Sequence, residues 1–138
     1  MSVRVGVDIV PFSRVRQLLS DDSSLLSRYL TAAEIEVSGT ASGWDVAGIA
    51  GRLAAKEAYF KLLRTQGKPV PWLAIEVLRG AGGWPVLTTR DPPILRDIDI
   101  SITHDDGYAV AVAIGATAAE TTRPRGGNSN EHDRGQHR

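Results

Sequence analysis

No cysteine occurs in the 138 residues, which removes disulfides, thiolate metal sites and cysteine nucleophiles, and fits a reducing cytoplasm. No apolar run approaches the roughly 20 residues of a membrane-spanning helix, and the first residues read as a strand rather than a signal sequence. The expectation is a cytoplasmic chain with no membrane partner. A surplus of one charge is also missing: 16 Lys and Arg face 16 Asp and Glu, so no long-range field gathers nucleic acid and a charged partner must be met by a local patch. No internal repeat is present. The composition, 42% hydrophobic and 23% charged, is enough for one globular domain with a modest core.

Val3, Val5, Val7 and Ile9 alternate with Arg4, Gly6 and Asp8, the period of a strand with one apolar face. Pro11 then opens a helix to about Leu19, with Phe12, Val15, Leu18 and Leu19 at helical spacing. After a polar break at Ser20 to Ser24, Leu25, Leu26, Tyr29 and Leu30 suggest a short helical stretch, and Thr31 with Glu34 has capping-box spacing for a further helix. Gly39 to Trp44 reads as a flexible connection. Asp45 is a good N-cap for the longest helix, Val46 to about Arg64, whose Ala50, Leu53, Ala54, Glu57, Ala58 and Lys61 share one face.

From Trp72 the pattern turns to strands. Leu73, Ile75 and Val77 alternate, Arg79 to Gly83 is a glycine-rich turn, and Pro85 to Thr88 returns as a partner. Ile98, Ile100 and Ile102 are joined through the Asp106-Gly107 turn to Val110, Val112 and Ile114, a second hairpin. The fold class is therefore α+β. Residues 1–116 form the domain, and 117–138 form a tail without large apolar periodicity, expected to be disordered. His132 and His137 lie in that tail, where the surrounding composition argues against a metal site.

Asp8 is a charge inside an apolar strand, which is costly without a partner; the bland alternative is a strand-end carboxylate that faces water or caps the next helix. Glu57 lies on the apolar row of the longest helix, where an ion pair with Lys61 at i+4 is the plain explanation, although such a pair contributes only about 0.3 to 0.5 kcal/mol at a surface. Two carboxylates from separate elements with a lysine one turn on match the needs of phosphoryl chemistry on a magnesium pyrophosphate. His104 ends a strand, where it is either a hydrogen-bonded terminus or a phosphate donor. Arg52 and Lys56 present the same choice between solvated helix charges and phosphate contacts.

Several ordered motifs resemble one family, the small single-domain 4'-phosphopantetheinyl transferases called holo-acyl-carrier-protein synthases. These are Gly6-Val7-Asp8-Ile9-Val10 with Arg14, the helix start at Tyr29 to Glu34, and Gly51-Arg52-Leu53-Ala54-Ala55-Lys56-Glu57-Ala58-Tyr59-Phe60-Lys61. Gly83-Trp84-Pro85 and the closing strands Ile100 to Asp105 and Tyr108 to Ala111 follow in order. The similarity runs from about Val3 to Ile114.

The resemblance implies an antiparallel sheet packed on a long central helix, a homotrimer with active sites at subunit interfaces, and transfer of phosphopantetheine from coenzyme A to a serine of an apo acyl carrier protein. It implies Mg2+ on Asp8 and Glu57, Lys61 at the reacting phosphate, Arg52 and His104 on coenzyme A phosphates, and further coenzyme A contacts from Thr65, Gly83 and Pro85. Arg14 and Arg28 would meet the acidic carrier. The serine proton goes either to Glu57 or to a water at the cation.

Two departures stand out. Arg64 and Gln66 occupy positions where the family has glycines, adding side chains where left-handed backbone or close substrate approach is needed. Pro92-Pro93 interrupts a segment that the family commonly makes helical. The alternative function is a non-catalytic or repurposed carrier-protein or coenzyme A binding module on the same fold.

Overall fold

A computed structural model describes residues 2–65, 67–90 and 95–117. Gln66, the Pro92-Pro93 segment and the tail with His132 and His137 lie outside the described residues. Strand β1 (Val3–Pro11) leads into helix α1 (Phe12–Asp22), and a 3-10 segment at Ser23–Arg28 leads to α2 (Ala32–Ser38). The connection from Gly39 to Trp44, expected to be irregular, is a small hairpin of β2 (Gly39–Thr40) and β3 (Gly43–Trp44). Helix α3 (Val46–Leu62) follows, and Trp72–Ala74 is a 3-10 turn rather than the start of a strand. The chain continues through β4 (Ile75–Arg79), β5 (Pro85–Thr89), β6 (Leu95–Asp105) and β7 (Tyr108–Thr117), so the last strand runs one residue past the expected boundary at Ala116.

β1, β7 and β6 form an antiparallel sheet in that order, while β4 and β5 pair separately. The capping box at α2 is complete: the Glu34 amide donates to Thr31 Oγ1, and the Thr31 amide donates to Glu34 Oε1 at 2.9 Å. At α3, Asp45 Oδ1 accepts from the Gly48 amide at 3.0 Å, satisfying one of the donors that a helix start leaves free. α1 is fixed at its start by the Phe12 amide, which donates to the Gly107 carbonyl in the β6–β7 turn.

Helix α3 lies on β1 and β7. Small residues make the approach close on both sides: Ala50, Ala54, Ala55 and Ala58 of α3 and Ala109, Ala111 and Ala113 of β7 are all buried. Gly6 is the tightest point, because a Cβ there would sit 2.1 Å from the Ala58 carbonyl oxygen. At the other end of α3, a Cβ on Gly51 would meet Ile102 Cγ2 of β6 at 2.9 Å. The helix therefore crosses the sheet from β6 to β1, and its last turns lie over the row Arg4, Gly6, Asp8. Arg4 Nη1 donates to the Leu62 carbonyl at 2.8 Å, a cation on the free carbonyls of a helix end.

This arrangement reverses the obvious reading of β1. Its polar row faces the helix, and its apolar row, Val3, Val5, Val7 and Ile9, lies outside with Val112 and Ile114 of β7, Val5 being 66% exposed. The sheet has one face in the core and one open apolar face.

Candidate functional site

Asp8 reaches the helix side of β1 because Gly6 and Val10, two residues to either side, pack inward and period-2 geometry carries Asp8 with them. Glu57 and Lys61 come from the last turns of α3, which the Gly6–Ala58 contact draws down onto this strand. Lys61 Nζ donates to the Val7 carbonyl at 2.8 Å and to Asp8 Oδ1 at 3.2 Å. The lysine is thus held by β1 and not by the i+4 pairing with Glu57 that its spacing allows. Its side chain is 56% exposed, while that of Asp8 is 12% exposed.

The two carboxyls are in conflict. Glu57 is pushed from 4.5 up to about 7, first by burial and then by its hydrogen bond to Asp8 and by the Asp8 charge, with Arg14 and Lys61 opposing. Asp8 Oδ2 is buried and receives no donor when both carboxyls are ionised. A proton on Glu57 relieves both problems by donating to Asp8, and so does a cation between them. Among the described residues no group of three or more His, Cys, Asp or Glu side chains converges. Two carboxylates are sufficient for a hard cation that keeps waters and substrate phosphate in its other positions.

A cleft of about 250 Å³ opens beside this pair, lined by Arg14, Leu18, Tyr29, Leu53, Glu57 and Trp72. Apolar Leu18, Leu53, Tyr29 and Trp72 share its lining with Arg14, Gln17 and Asp21 of α1 and with Glu57 of α3. Tyr29 and Trp72 meet edge to face, with ring centroids 5.3 Å apart.

Other sequence candidates lie elsewhere. Arg52 is on a different side of α3 from Glu57, since five residues amount to about 140° around a helix beyond one full turn. Its Nε donates to the Val77 carbonyl on the edge of β4 at 3.0 Å. Burial pulls its pKa down, Glu34 and Asp45 oppose that, and Arg79 adds to it. His104 stands on the helix side of β6, opposite Ala109, with its ring 6.3 Å from that of Phe12. Thr65 follows the last turn of α3, and its hydroxyl is buried with no partner. Arg64 before it has φ of 52°, the left-handed geometry that a glycine would adopt without strain. Gly83, with φ of 90°, and Pro85 form the tip and return of the β4–β5 hairpin. Arg14 joins the Glu57 cleft, whereas Arg28 ends the 3-10 segment near Asp22.

Lys56 has a structural position rather than a place at a phosphate. It is fully buried, and its three donors are used by Glu34 Oε1, the Tyr29 carbonyl at 2.8 Å and the Trp72 carbonyl at 2.9 Å. Glu34 Oε2 accepts in turn from the Val77 amide at 2.9 Å. Burial pushes the Lys56 pKa down and Glu34 opposes this. The sequence signal for this hub was the capping box itself, which puts Glu34 at a helix start but does not reveal that the same carboxylate reaches two other elements.

Residues 4–113 match the model of the 4'-phosphopantetheinyl transferase superfamily. The chain is 41% identical over 109 residues to the holo-[acyl-carrier-protein] synthase of Exiguobacterium sibiricum, covering 78% of this chain and 83% of that one. It is 39% identical over 114 residues to the synthase of Chlorobaculum parvum, covering 81% and 97%. Among solved structures it resembles the holo-(acyl-carrier-protein) synthase of Bacillus anthracis in complex with CoA (3',5'-ADP), with a TM-score of 0.68, 33% identity and coverage of 83% and 96%. It also resembles the Helicobacter pylori synthase in complex with coenzyme A, with a TM-score of 0.71, 28% identity and coverage of 82% and 100%.

Proposed function

From the premise that this chain belongs to the 4'-phosphopantetheinyl transferase superfamily and is a holo-acyl-carrier-protein synthase, we propose that Asp8, Glu57 and Lys61 carry out its transfer reaction at a magnesium pyrophosphate. The observation that carries this reading is the orphaned Asp8 Oδ2 beside a Glu57 whose carboxyl is held near neutrality. Two carboxyls so placed suit a hard divalent cation. Asp8 and Glu57 would hold Mg2+, whose chemistry when bound is to neutralise the pyrophosphate charge.

In this reading the hydroxyl oxygen of a carrier serine forms a bond to the β-phosphorus of coenzyme A. The bond from that phosphorus to the bridging oxygen breaks, and adenosine 3',5'-bisphosphate leaves with the electron pair. Lys61, anchored to β1 and mostly exposed, reaches the phosphoryl oxygens on which charge accumulates. Glu57, ionised once a cation offsets the neighbouring Asp8 charge, would be placed to accept the serine proton. The unpartnered hydroxyl of Thr65 is suited to a substrate oxygen. Arg14 in the cleft lining and Arg28 at the end of the 3-10 segment would supply positive charge for an acidic carrier.

Two observations support a homotrimer with interface sites. The outer apolar face of the sheet needs cover. Arg52 lies on a different side of α3 from Glu57, so a second copy of the chain would bring the two kinds of coenzyme A contact together at one interface. Residues 1–116 act as the transferase domain, with 117–138 a tail outside it. The setting is the cytoplasm, in keeping with the absence among the described residues of any helix long and apolar enough to cross a membrane.

Incubation with Mg2+, coenzyme A and a panel of apo acyl carrier proteins is expected to add one phosphopantetheine mass to at least one carrier. Transfer to none by a folded protein that binds coenzyme A would overturn the catalytic reading. Light scattering on the eluted protein is expected to give three times the chain mass; a monomer would overturn the interface reading.

A further inference from the structure

Tyr29 and Trp72 form one wall of the cleft beside Glu57, yet neither sits on a long element. Tyr29 closes the 3-10 segment that ends at Arg28, and Trp72 opens the 3-10 turn before β4. Their rings meet edge to face, with the planes at 77°. That contact orients the rings relative to each other and leaves their distance from α3 open. The distance is set from behind by Lys56, whose Nζ donates to the Tyr29 carbonyl at 2.8 Å and to the Trp72 carbonyl at 2.9 Å. Glu34 neutralises the ammonium and fastens it to the start of α2 and to β4, since its carboxylate also accepts from the Thr31 and Val77 amides. Lys56 itself is fully buried and does not line the cleft.

Leu53 and Glu57, one turn apart on α3, form the helix side of the cleft. Any shift of the Tyr29–Trp72 wall therefore changes the space in front of the Glu57 carboxyl. A buried ion pair adds little stability over apolar side chains of similar volume, whereas fixed bonds to two irregular segments define a geometry that apolar packing would leave looser. The hub is thus better suited to placing the wall than to stabilising the fold.

Charge indicates which reactant meets this wall. The facing rim is α1, where Arg14 is near enough for its charge to act on Glu57, and where the Asp21 carboxylate accepts from Gln17 Nε2 at 3.2 Å. The phosphates of the donor belong on the other side of Glu57, with Asp8 and Lys61. A cleft with an arginine on its rim and aromatic rings along one wall suits a segment of an acidic protein that presents a hydroxyl.

We infer that Lys56 is a positioning residue for the acceptor: through its bonds to the Tyr29 and Trp72 carbonyls it fixes the wall that guides the serine-bearing segment of the carrier to Glu57. The inference rests on the transferase reading for the identity of the acceptor, and it gives the buried hub a part in the reaction without contact to either substrate.

Lys56→Met, assayed at a temperature where circular dichroism shows it folded, should raise KM for the apo carrier about tenfold, the scale for losing an aromatic anchor from an interface. KM for coenzyme A and the pH midpoint of kcat should stay at their wild-type values. A purely structural role would reduce the amount of active enzyme, lowering kcat and leaving both KM values in place. Trp72→Leu, which keeps the main-chain carbonyl that Lys56 holds, should show the same split. The double variant should be no worse than the worse single one, because both act through one wall. Glu34→Gln, which keeps an oxygen for Lys56 and removes the charge, should show the split in milder form and takes the place of Lys56→Met if that variant does not fold. An unchanged KM for the carrier in the folded hub variant, or a rise in KM for coenzyme A instead, would overturn the inference.

Emission provides a readout that needs no turnover. With Trp44 and Trp84 replaced by Phe, Trp72 is the sole tryptophan, and Lys56→Met or Glu34→Gln should move its emission to longer wavelength as the wall opens to water. An unmoved emission would overturn the positioning role. If wild type modifies no carrier, the transfer reading fails, and the emission still decides whether Lys56 holds the wall.

Discussion

Lys56 and Glu57 are neighbours on one helix, and the regions they enter could hardly be more different. Lys56 points to a closed hub where each donor has an acceptor, Glu34 is its counter-ion, and both side chains have no exposure. Glu57 points to an open cluster with two carboxyls, one lysine anchored from the side, and a buried oxygen with no partner. The first is satisfied as it stands, and the second only when Glu57 takes up a proton or a cation joins the pair. Residue type does not separate a structural ion pair from a reactive one; completeness of hydrogen bonding does.

The largest expected effect breaks the closed side. Lys56→Met leaves the Glu34 carboxylate buried without its cation and frees the Tyr29 and Trp72 carbonyls, a loss of about 3 to 5 kcal/mol for a broken buried pair. Urea denaturation should show this as a lower midpoint with an unchanged slope. Adding Glu34→Leu should not restore wild-type stability, because Glu34 also accepts from the Thr31 and Val77 amides. Full recovery in the double variant would mean that the hub is only a charge pair.

On the open side, Lys61→Ala should leave stability within about 1 kcal/mol, as expected for an exposed ion pair. Transfer should fall by about 10²- to 10³-fold, the scale for removing one donor from developing transition-state charge. Single-turnover rates with saturating carrier would check this. A loss of stability as large as that of Lys56→Met would erase the distinction between the two regions.

Much of this contrast was legible in the sequence, but unevenly. Thr31 with Glu34 announced a helix start and Asp45 announced another, because capping is local chemistry. Asp8, Glu57 and Lys61 stood out because charges on apolar rows need partners. The direction of β1 was not legible: alternation shows that two faces differ, and Val3, Val5, Val7 and Ile9 suggest the core, yet Gly6 and the small residues of α3 choose the polar row for the helix. An apolar row on an open face reads the same in sequence as one that faces the core. The role of Lys56 was hidden for a related reason, since Tyr29, Glu34 and Trp72 converge on it only through tertiary structure.

Arg64 sharpens the comparison at lower energy. The turn after Lys61 holds a left-handed arginine and the orphan hydroxyl of Thr65, so strain as well as missing hydrogen bonding gathers on the open side. Arg64→Gly should stabilise the protein by about 1 kcal/mol, the difference between left-handed strain and the entropy of a glycine. Thermal denaturation should show a small upward shift. A downward shift would mean that the guanidinium makes a contact more valuable than the strain it imposes.

The smallest effect concerns protons. Glu57 rises from 4.5 to about 7 on folding, so the folded state binds this proton more tightly than the unfolded chain does. The resulting stabilisation is fully present below about 4.5 and is lost as pH rises through about 7. Without divalent cation, the melting temperature of wild type should therefore decline between pH 5 and 8 more than that of Glu57→Gln, which cannot lose the proton. Magnesium should act in the opposite direction, because it favours the ionised pair and gains most at the upper end of the range. The hub supplies the control, since nothing there depends on a divalent cation: Lys56→Met should lower stability throughout and leave the response to magnesium in place. If Glu57→Gln and wild type show parallel pH profiles with and without magnesium, the open cluster is another closed pair, and the two regions of α3 differ only in exposure.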